Sequence, residues 1–252
     1  MTVNSRIVHQ TASPDEDAAG LVRGSLDPLR YDGHVVDSDE VGGIVSSMIP
    51  TGARVLEIGC GTGSLSRIVA DTCGAEVVGI EPDSHRAERA RARGLQVHVG
   101  YLSPELIHKI GSFDVVLLAD VLEHVPSPQT MLLLSRKVLG VGGAVIVSVP
   151  NVAHWSVRVD LVRGTFQYQP IGIMDVTHLR WFTLDTLKAL IASSGFKVIS
   201  SRATAGITLP DNVHRRPWRW LPSGYRMRLL RYGCRHWPTL FGCQHVLKAE
   251  MI

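Results

Sequence analysis

Short apolar runs recur along the chain, separated by stretches in which apolar positions return with helical spacing. Runs at 55–58, 76–80, 95–99, 113–119 and 144–149 have the length of strands buried on both faces of a parallel sheet. Further strands are predicted at 196–201 and 244–249. Helices are predicted at 37–49, capped by Asp37 or Ser38, at 64–71, at 84–93, at 127–139 with a stop at Gly140, and after Thr183. Within an arginine-rich stretch, Pro217, Pro222 and Pro238 confine regular helix to about 224–234. Strand followed by helix, repeated, predicts an α/β fold with a doubly wound sheet. Two insertions break the rhythm, at about 151–182 after the fifth strand and 203–241 after the sixth. Residues 1–36 read as an amino-terminal arm or lid ahead of one domain at 37–252, and loops at the carboxyl edge of such a sheet are where specificity is built.

The first strand ends Val55-Leu56-Glu57-Ile58 and enters Gly59-Cys60-Gly61-Thr62-Gly63, an acid followed by glycine at every second position. Such glycines permit positive φ and let bare backbone approach a ligand before the helix at Ser64. The usual dinucleotide fingerprint needs a third glycine or alanine where Ser64 stands, and asks for no acid before the first glycine. Glu57 puts a carboxylate at the carboxyl end of the strand, where a ligand ammonium could use it. The second strand ends in Glu81-Pro82-Asp83, at roughly the 20-residue spacing where an acid meets ribose hydroxyls in nucleotide folds. Glu81 takes that role ahead of the alternative of a helix N-terminal acid, which is the reading for Asp83. Arg86, Arg89, Arg91 and Arg93 form a solvated basic face. With the fourth strand ending in Asp120, the strand ends point to one ligand crevice.

The run from Val55 to Gly63 resembles the first motif of class I S-adenosylmethionine-dependent methyltransferases, and the resemblance extends over residues 41–252. It implies a Rossmann-like sheet of seven strands, mostly parallel with the last antiparallel. The cofactor, S-adenosylmethionine, is then assigned to Glu57, Gly59, Gly61, Gly63, Glu81, Pro82, Tyr101, Leu102 and Asp120. Gly100-Tyr101-Leu102 replaces the acid often found after strand three, leaving adenine to backbone groups and apolar contacts. Asp120-Val121-Leu122-Glu123-His124-Val125-Pro126 resembles the matching segment of methyltransferases that include ubiquinone O-methyltransferases. One helical turn would set Asp120, Glu123 and His124 on one face. That set suits a divalent metal such as magnesium, although imidazole pulls the preference toward zinc, manganese or iron. The alternative is a structural network beneath the cofactor.

Val149-Pro150-Asn151-Val152-Ala153-His154-Trp155 and Asp175-Val176-Thr177-His178-Leu179-Arg180-Trp181-Phe182-Thr183 resemble signatures of a subgroup common among bacterial sugar-tailoring and cell-envelope enzymes. An acceptor hydroxyl must lose its proton as it attacks the sulfonium methyl, so a nearby base is useful. His154 comes first because the fifth strand delivers it to the crevice; His124 is second and His178 third, with Asp120 completing the catalytic set. A structural His178 paired with Asp175 is the alternative. Tyr31, Trp155, Tyr168, His178 and Trp181 are the acceptor-binding candidates: the rings offer faces on which a sugar stacks, with core packing as the competing explanation. The expected reaction is methyl transfer to a hydroxyl of a sugar, glycoside or oligosaccharide. A phenolic or quinone small-molecule acceptor is the alternative, and a non-catalytic cofactor-binding partner is the alternative of another class.

At 252 residues and 45% hydrophobic content the chain can bury one large core. A net charge of +3 gives no case for a nucleic-acid partner. Its distribution matters more: from Val213 to Phe241 no acid interrupts Arg215, Arg216, Arg219, Arg226, Arg228, Arg231 and Arg235, interleaved with Trp218, Trp220, Tyr225 and Trp237. That segment suits peripheral contact with an anionic surface, or a homodimer face. Four cysteines without a metal-type pair, no signal-peptide core near the start and no membrane-length apolar stretch lead to the expectation of a reduced, cytoplasmic protein.

Overall fold

In a computed structural model, which describes residues 33–206 and 222–252, the apolar runs become one seven-stranded sheet. Helix α1 (Val41–Met48) leads into β1 (Arg54–Ile58), α2 (Ser64–Cys73), β2 (Glu76–Glu81), α3 (Ser84–Ala92), β3 (Gln96–Val99), α4 (Pro104–Ile110), β4 (Phe113–Ala119), α5 (Pro128–Val138) and β5 (Leu139–Pro150). Then follow α6 (Trp155–Val162), α7 (Leu184–Ser193), β6 (Phe196–Ala203), α8 (Ser223–His236), α9 (Pro238–Phe241) and β7 (Gln244–Met251). The sheet order is β3-β2-β1-β4-β5-β7-β6, and β7 runs antiparallel to both β5 and β6, between which it is inserted. Strand order reverses beside β1, so the carboxyl ends of β1 and β4 open the crevice where such sheets bind ligands.

Both faces of the central strands are covered, which is why the sequence gives continuous apolar runs there rather than alternation. Leu56, Val116, Leu118 and Val147 point into one layer with Leu132, Leu187 and Phe196. Their neighbours Val55, Val115, Leu117 and Ile146 point into the other, with Ile44, Val45, Leu65 and Val69. The predicted helix starts at Ser127 and Thr183 hold, each hydroxyl accepting from a first-turn amide. The cap expected of Asp37 or Ser38 does not form. Asp37 instead closes a preceding turn, accepting from the Asp39 amide at 2.9 Å, and α1 starts at Val41. Helix α5 stops at Val138, short of Gly140, because Leu139 pairs with Phe113 and the chain is already extended. Helices α4 and α6 were not anticipated; Ser103 with Pro104, and His154, supply their starts.

The insertion at 151–182 holds α6 and a turn-rich stretch tied back by bridges between Asn151 and Phe182 and between Gln169 and Asp175. Residues of the 203–241 insertion that are described contribute α8 and α9. All four cysteines are buried and free. No helix among the described residues is long and apolar enough to cross a membrane.

Candidate functional site

At the carboxyl end of β1 the loop turns on Gly59, Gly61 and Gly63, with φ of 73°, 55° and 78°. Gly59 donates to the Ile80 carbonyl at 2.7 Å and Gly61 donates to Glu81 Oε2 at 2.8 Å, so β2 holds the loop open. The other Glu81 oxygen accepts from the Asp83 amide at 3.0 Å, while Asp83 itself caps α3 as expected, accepting from the Arg86 amide. Glu57 lies buried beneath the loop and accepts a short hydrogen bond from the Ser66 hydroxyl. Burial pushes its carboxyl up to about 8; the Ser66 bond opposes this shift and the Glu81 charge adds to it.

These groups face a cavity of about 740 Å³ lined by Glu57, Gly59, Gly61, Glu81, Pro82, Tyr101, Leu102 and Asp120. Gly63 is not in that lining. A Cβ there would stand 2.4 Å from Leu95 Cδ1 and 3.0 Å from Ala90 Cβ, so its bareness lets α2 begin against α3. At Gly61, by contrast, a Cβ would enter open space. The basic face assigned to α3 is also not wholly solvated: Arg86 lines the cavity, and Arg93 donates to the carbonyl and hydroxyl oxygens of Thr62 in the glycine loop.

At the far end of the cavity, Asp120 adopts φ 53°, a left-handed backbone that breaks the helical turn expected over 120–124. Its carboxylate accepts from Gln244 Nε2 at 2.8 and 2.9 Å and from the Ser148 hydroxyl at 3.0 Å. The close donor set is instead Glu123, His124 and His178, whose potential ligand atoms lie within 4.8 Å of one another. The Glu123 main-chain oxygen accepts from Leu179 and Arg180, which pins the insertion to the end of β4 and brings His178 in. Both Glu123 carboxylate oxygens are buried and accept no hydrogen bond from the described residues. Burial first, and the Asp120 charge next, hold that carboxyl well above the usual range.

His124 Nδ1 is 3.2 Å from the Thr177 carbonyl and His178 Nδ1 is 3.1 Å from the Ile173 carbonyl. A carbonyl only accepts, so each ring carries a proton on Nδ1. Burial, then His124, pushes His178 down to about 4, which leaves it neutral at ordinary pH. Its ring bond goes to Ile173 and not to Asp175, whose carboxylate accepts from the amide and hydroxyl of Thr177. Val125, Met131, Ile171 and Ile173 add apolar lining.

The first-choice base, His154, lies outside the cavity lining: its Nδ1 meets the Ser156 hydroxyl at 2.8 Å and accepts from the Ser156 amide, capping α6. Trp155, Tyr168 and Trp181 lie outside it too. Tyr168 and Trp181 pack against each other and against Phe166, with ring centroids 5.7 to 6.0 Å apart. Tyr31 falls outside the described residues. Gln244 and Cys243 line the cavity without having been singled out, although an antiparallel last strand necessarily begins at the carboxyl edge of the others.

The chain matches the family model described as methionine biosynthesis protein MetW over residues 40–222. It is similar to the ubiquinone biosynthesis O-methyltransferase of Agrobacterium fabrum, 34% identical over 140 residues, covering 48% of this chain and 54% of that protein. It is 30% identical to the enzyme of the same description from a Ruegeria species over 158 residues, or 60% of this chain and 63% of the other. The chain thus spans little more than half the length of these curated relatives. Among solved structures, the CcbJ methyltransferase from Streptomyces caelestis superposes with a TM-score of 0.57 at 16% identity, over 87% of this chain and 91% of that one. A SAM-dependent methyltransferase from Thermotoga maritima, described as a possible histamine N-methyltransferase, gives 0.54 at 21% identity over 84% and 87%. These likenesses establish the fold as that of SAM-dependent methyltransferases.

Proposed function

The chain belongs to the MetW family, and on that premise we propose that it transfers a methyl group from S-adenosylmethionine to a hydroxyl of a small phenolic or quinone-type acceptor. The observation that carries this reading is the buried Glu123 carboxylate, set beside His124 and His178 in the same cavity that Glu57 and Glu81 line. The cavity offers a cofactor end and a chemical end, and Val125, Met131, Ile171 and Ile173 give it apolar walls suited to an aromatic ring. The ubiquinone-type relatives favour the same acceptor class. The sugar acceptor loses support, since Trp155, Tyr168 and Trp181, three of the rings expected to stack on it, lie outside the cavity lining.

The residues present fit the cofactor. Burial holds Glu57 neutral up to about pH 8, with a hydroxyl as its hydrogen-bond donor, and a ligand ammonium is the group that would keep it ionised. Glu81 uses one oxygen for each of two loop amides and keeps lone pairs for two ribose hydroxyls. Held by these groups, S-adenosylmethionine supplies a sulfonium methyl open to in-line attack. Gln244 and Ser148 fix the Asp120 carboxylate in the wall of the same cavity. Glu123 and the Nε2 atoms of His124 and His178 would hold a divalent ion, which supplies acidity to the acceptor hydroxyl; two imidazoles favour zinc, manganese or iron over magnesium. The chain's own contribution is to aim that hydroxyl at the methyl and to keep water out of an apolar pocket.

Labelled methyl transfer to parallel panels of phenols and glycosides tests this. Label is expected on phenols, and label confined to glycosides would reverse the acceptor assignment. In the same assay a chelator is expected to lower the rate more than tenfold, with zinc or manganese restoring it better than magnesium. Full activity in chelator, together with no metal in the purified protein, would remove the ion from the mechanism.

A further inference from the structure

Helix α8 is anchored on one face. Leu230, Gly233 and Cys234 are buried; a Cβ on Gly233 would lie 2.9 Å from the Phe241 ring, and the Cys234 thiol donates to the Ala203 carbonyl at 3.3 Å. On an adjoining face Tyr225, Leu229, Tyr232 and His236 recur at i, i+4, i+7 and i+11, and the first three are 69%, 48% and 56% exposed. Trp237, 53% exposed, prolongs the stripe, its ring 6.2 Å from Tyr232 and 6.0 Å from His236. Exposed Arg228 and Arg235, two turns apart, flank the stripe on one side. Contiguous aromatic and aliphatic groups in water mark a contact surface rather than a solvated helix.

We propose that α8 docks the protein peripherally on an anionic bilayer. Charge complementarity supports that occupant: no acid lies between Val213 and Phe241, against seven arginines, of which Arg231 and Arg235 are ion-paired with Asp37 and Asp39. The stripe supports it as well, because tyrosine and tryptophan keep rings in the apolar boundary and polar tips among headgroups, while arginine stems lie along the boundary with their guanidinium groups in the polar layer. An acidic protein partner would satisfy the arginines yet need a groove shaped to the rings, whereas a bilayer adapts to them. At 14 residues, or roughly 21 Å, the helix lies along a surface and does not cross it.

The position of α8 gives docking a consequence. Arg231 reaches Asp37 at 2.8 Å and Asp39 at 2.9 Å, and the chain continues from Asp39 into Glu40, Val41 and Gly42 of the cavity lining. The anchored helix is thereby fastened to the segment that forms part of the cavity wall. Delivery of a lipid-soluble acceptor from the bilayer would follow, and that consequence alone rests on the acceptor class proposed above.

The test is flotation of the full chain with phosphatidylcholine vesicles and with vesicles that also contain phosphatidylglycerol. Binding is expected only with the anionic lipid, and high salt is expected to release it. Arg228→Gln should weaken partitioning about fivefold, the contribution of one basic side chain near an anionic surface. The double variant Leu229→Asn/Tyr232→Ser should weaken it more than tenfold; both side chains are exposed, and circular dichroism checks that each variant folds. Wild-type protein left behind by anionic vesicles, or bound equally in all three forms, overturns the proposal. So does a wild-type dimer in light scattering that the double variant converts to monomer without any vesicle binding, since α8 would then meet a second copy. None of these readouts depends on methyl transfer, so the docking proposal and the catalytic one fail separately.

Discussion

Glu57→Gln is expected to weaken S-adenosylmethionine binding about 100-fold, the order expected when one partner of a buried charge pair is removed. The same change should raise the thermal stability of the ligand-free protein relative to wild type as pH increases. The two effects have opposite signs because the carboxylate serves the ligand at the expense of the fold. Burial lifts the Glu57 pKa from 4.5 to about 8, so the folded state prefers the neutral acid. Its contribution to stability is fully present below pH 4.5 and is lost progressively as pH rises toward about 8, where the folded protein must ionise a group that unfolded chains ionise freely. Glutamine is neutral throughout and can keep the Ser66 hydrogen bond, so the stability gap should widen across that window and then level off. A ligand ammonium reverses the preference. Binding to wild type below about pH 8 then expels a proton, and affinity should fall by up to about tenfold per pH unit toward acid, a dependence the variant lacks. Titration calorimetry and thermal melts across the window check both halves; equal affinity in variant and wild type would remove Glu57 from the cofactor site.

The same residue shows what the sequence made legible. An acid two positions before the first of three alternating glycines, on an apolar strand, needed no tertiary information to be read as a candidate ligand carboxylate, and the structure sets it in the cavity lining. The order of elements was equally accessible, because strands buried on both faces must be apolar throughout and helix starts such as Ser127 and Thr183 carry their own caps. What escaped depended on backbone choices that side-chain spacing does not encode. Spacing placed Asp120, Glu123 and His124 on one helical face, whereas a single left-handed residue sends Asp120 to Gln244 and Ser148 and gives its place to His178. His178 and Gln244 arrive from distant segments, one pinned by the Glu123 carbonyl and the other delivered by β7. His154 is placed by something local: a polar residue at the end of a strand can serve a ligand or cap the next helix, and here its bonds to Ser156 cap α6.

Gly63→Val is the second large effect, and it separates two meanings of glycine in one loop. At φ 78° any side chain costs roughly 1–2 kcal/mol, and overpacking adds about 1–3 kcal/mol, since the new Cβ would stand 2.4 Å from Leu95 and 3.0 Å from Ala90. A loss of about 4 kcal/mol in a chain of this size corresponds to a melting temperature lower by about 10 °C. Gly61→Ala meets no atom within 4 Å and carries only the backbone penalty, about 1–2 kcal/mol. Its methyl group would enter the open cavity, however, so it should lower cofactor affinity by tenfold or more while leaving the protein folded. Melting curves and cofactor titrations on the two variants therefore move in different proportions: Gly63 governs how α2 seats on α3, and Gly61 governs how near a ligand comes to the backbone. A Gly63→Val protein that melts like wild type yet no longer binds cofactor would return Gly63 to the ligand, and with it the reading that all three glycines serve one purpose.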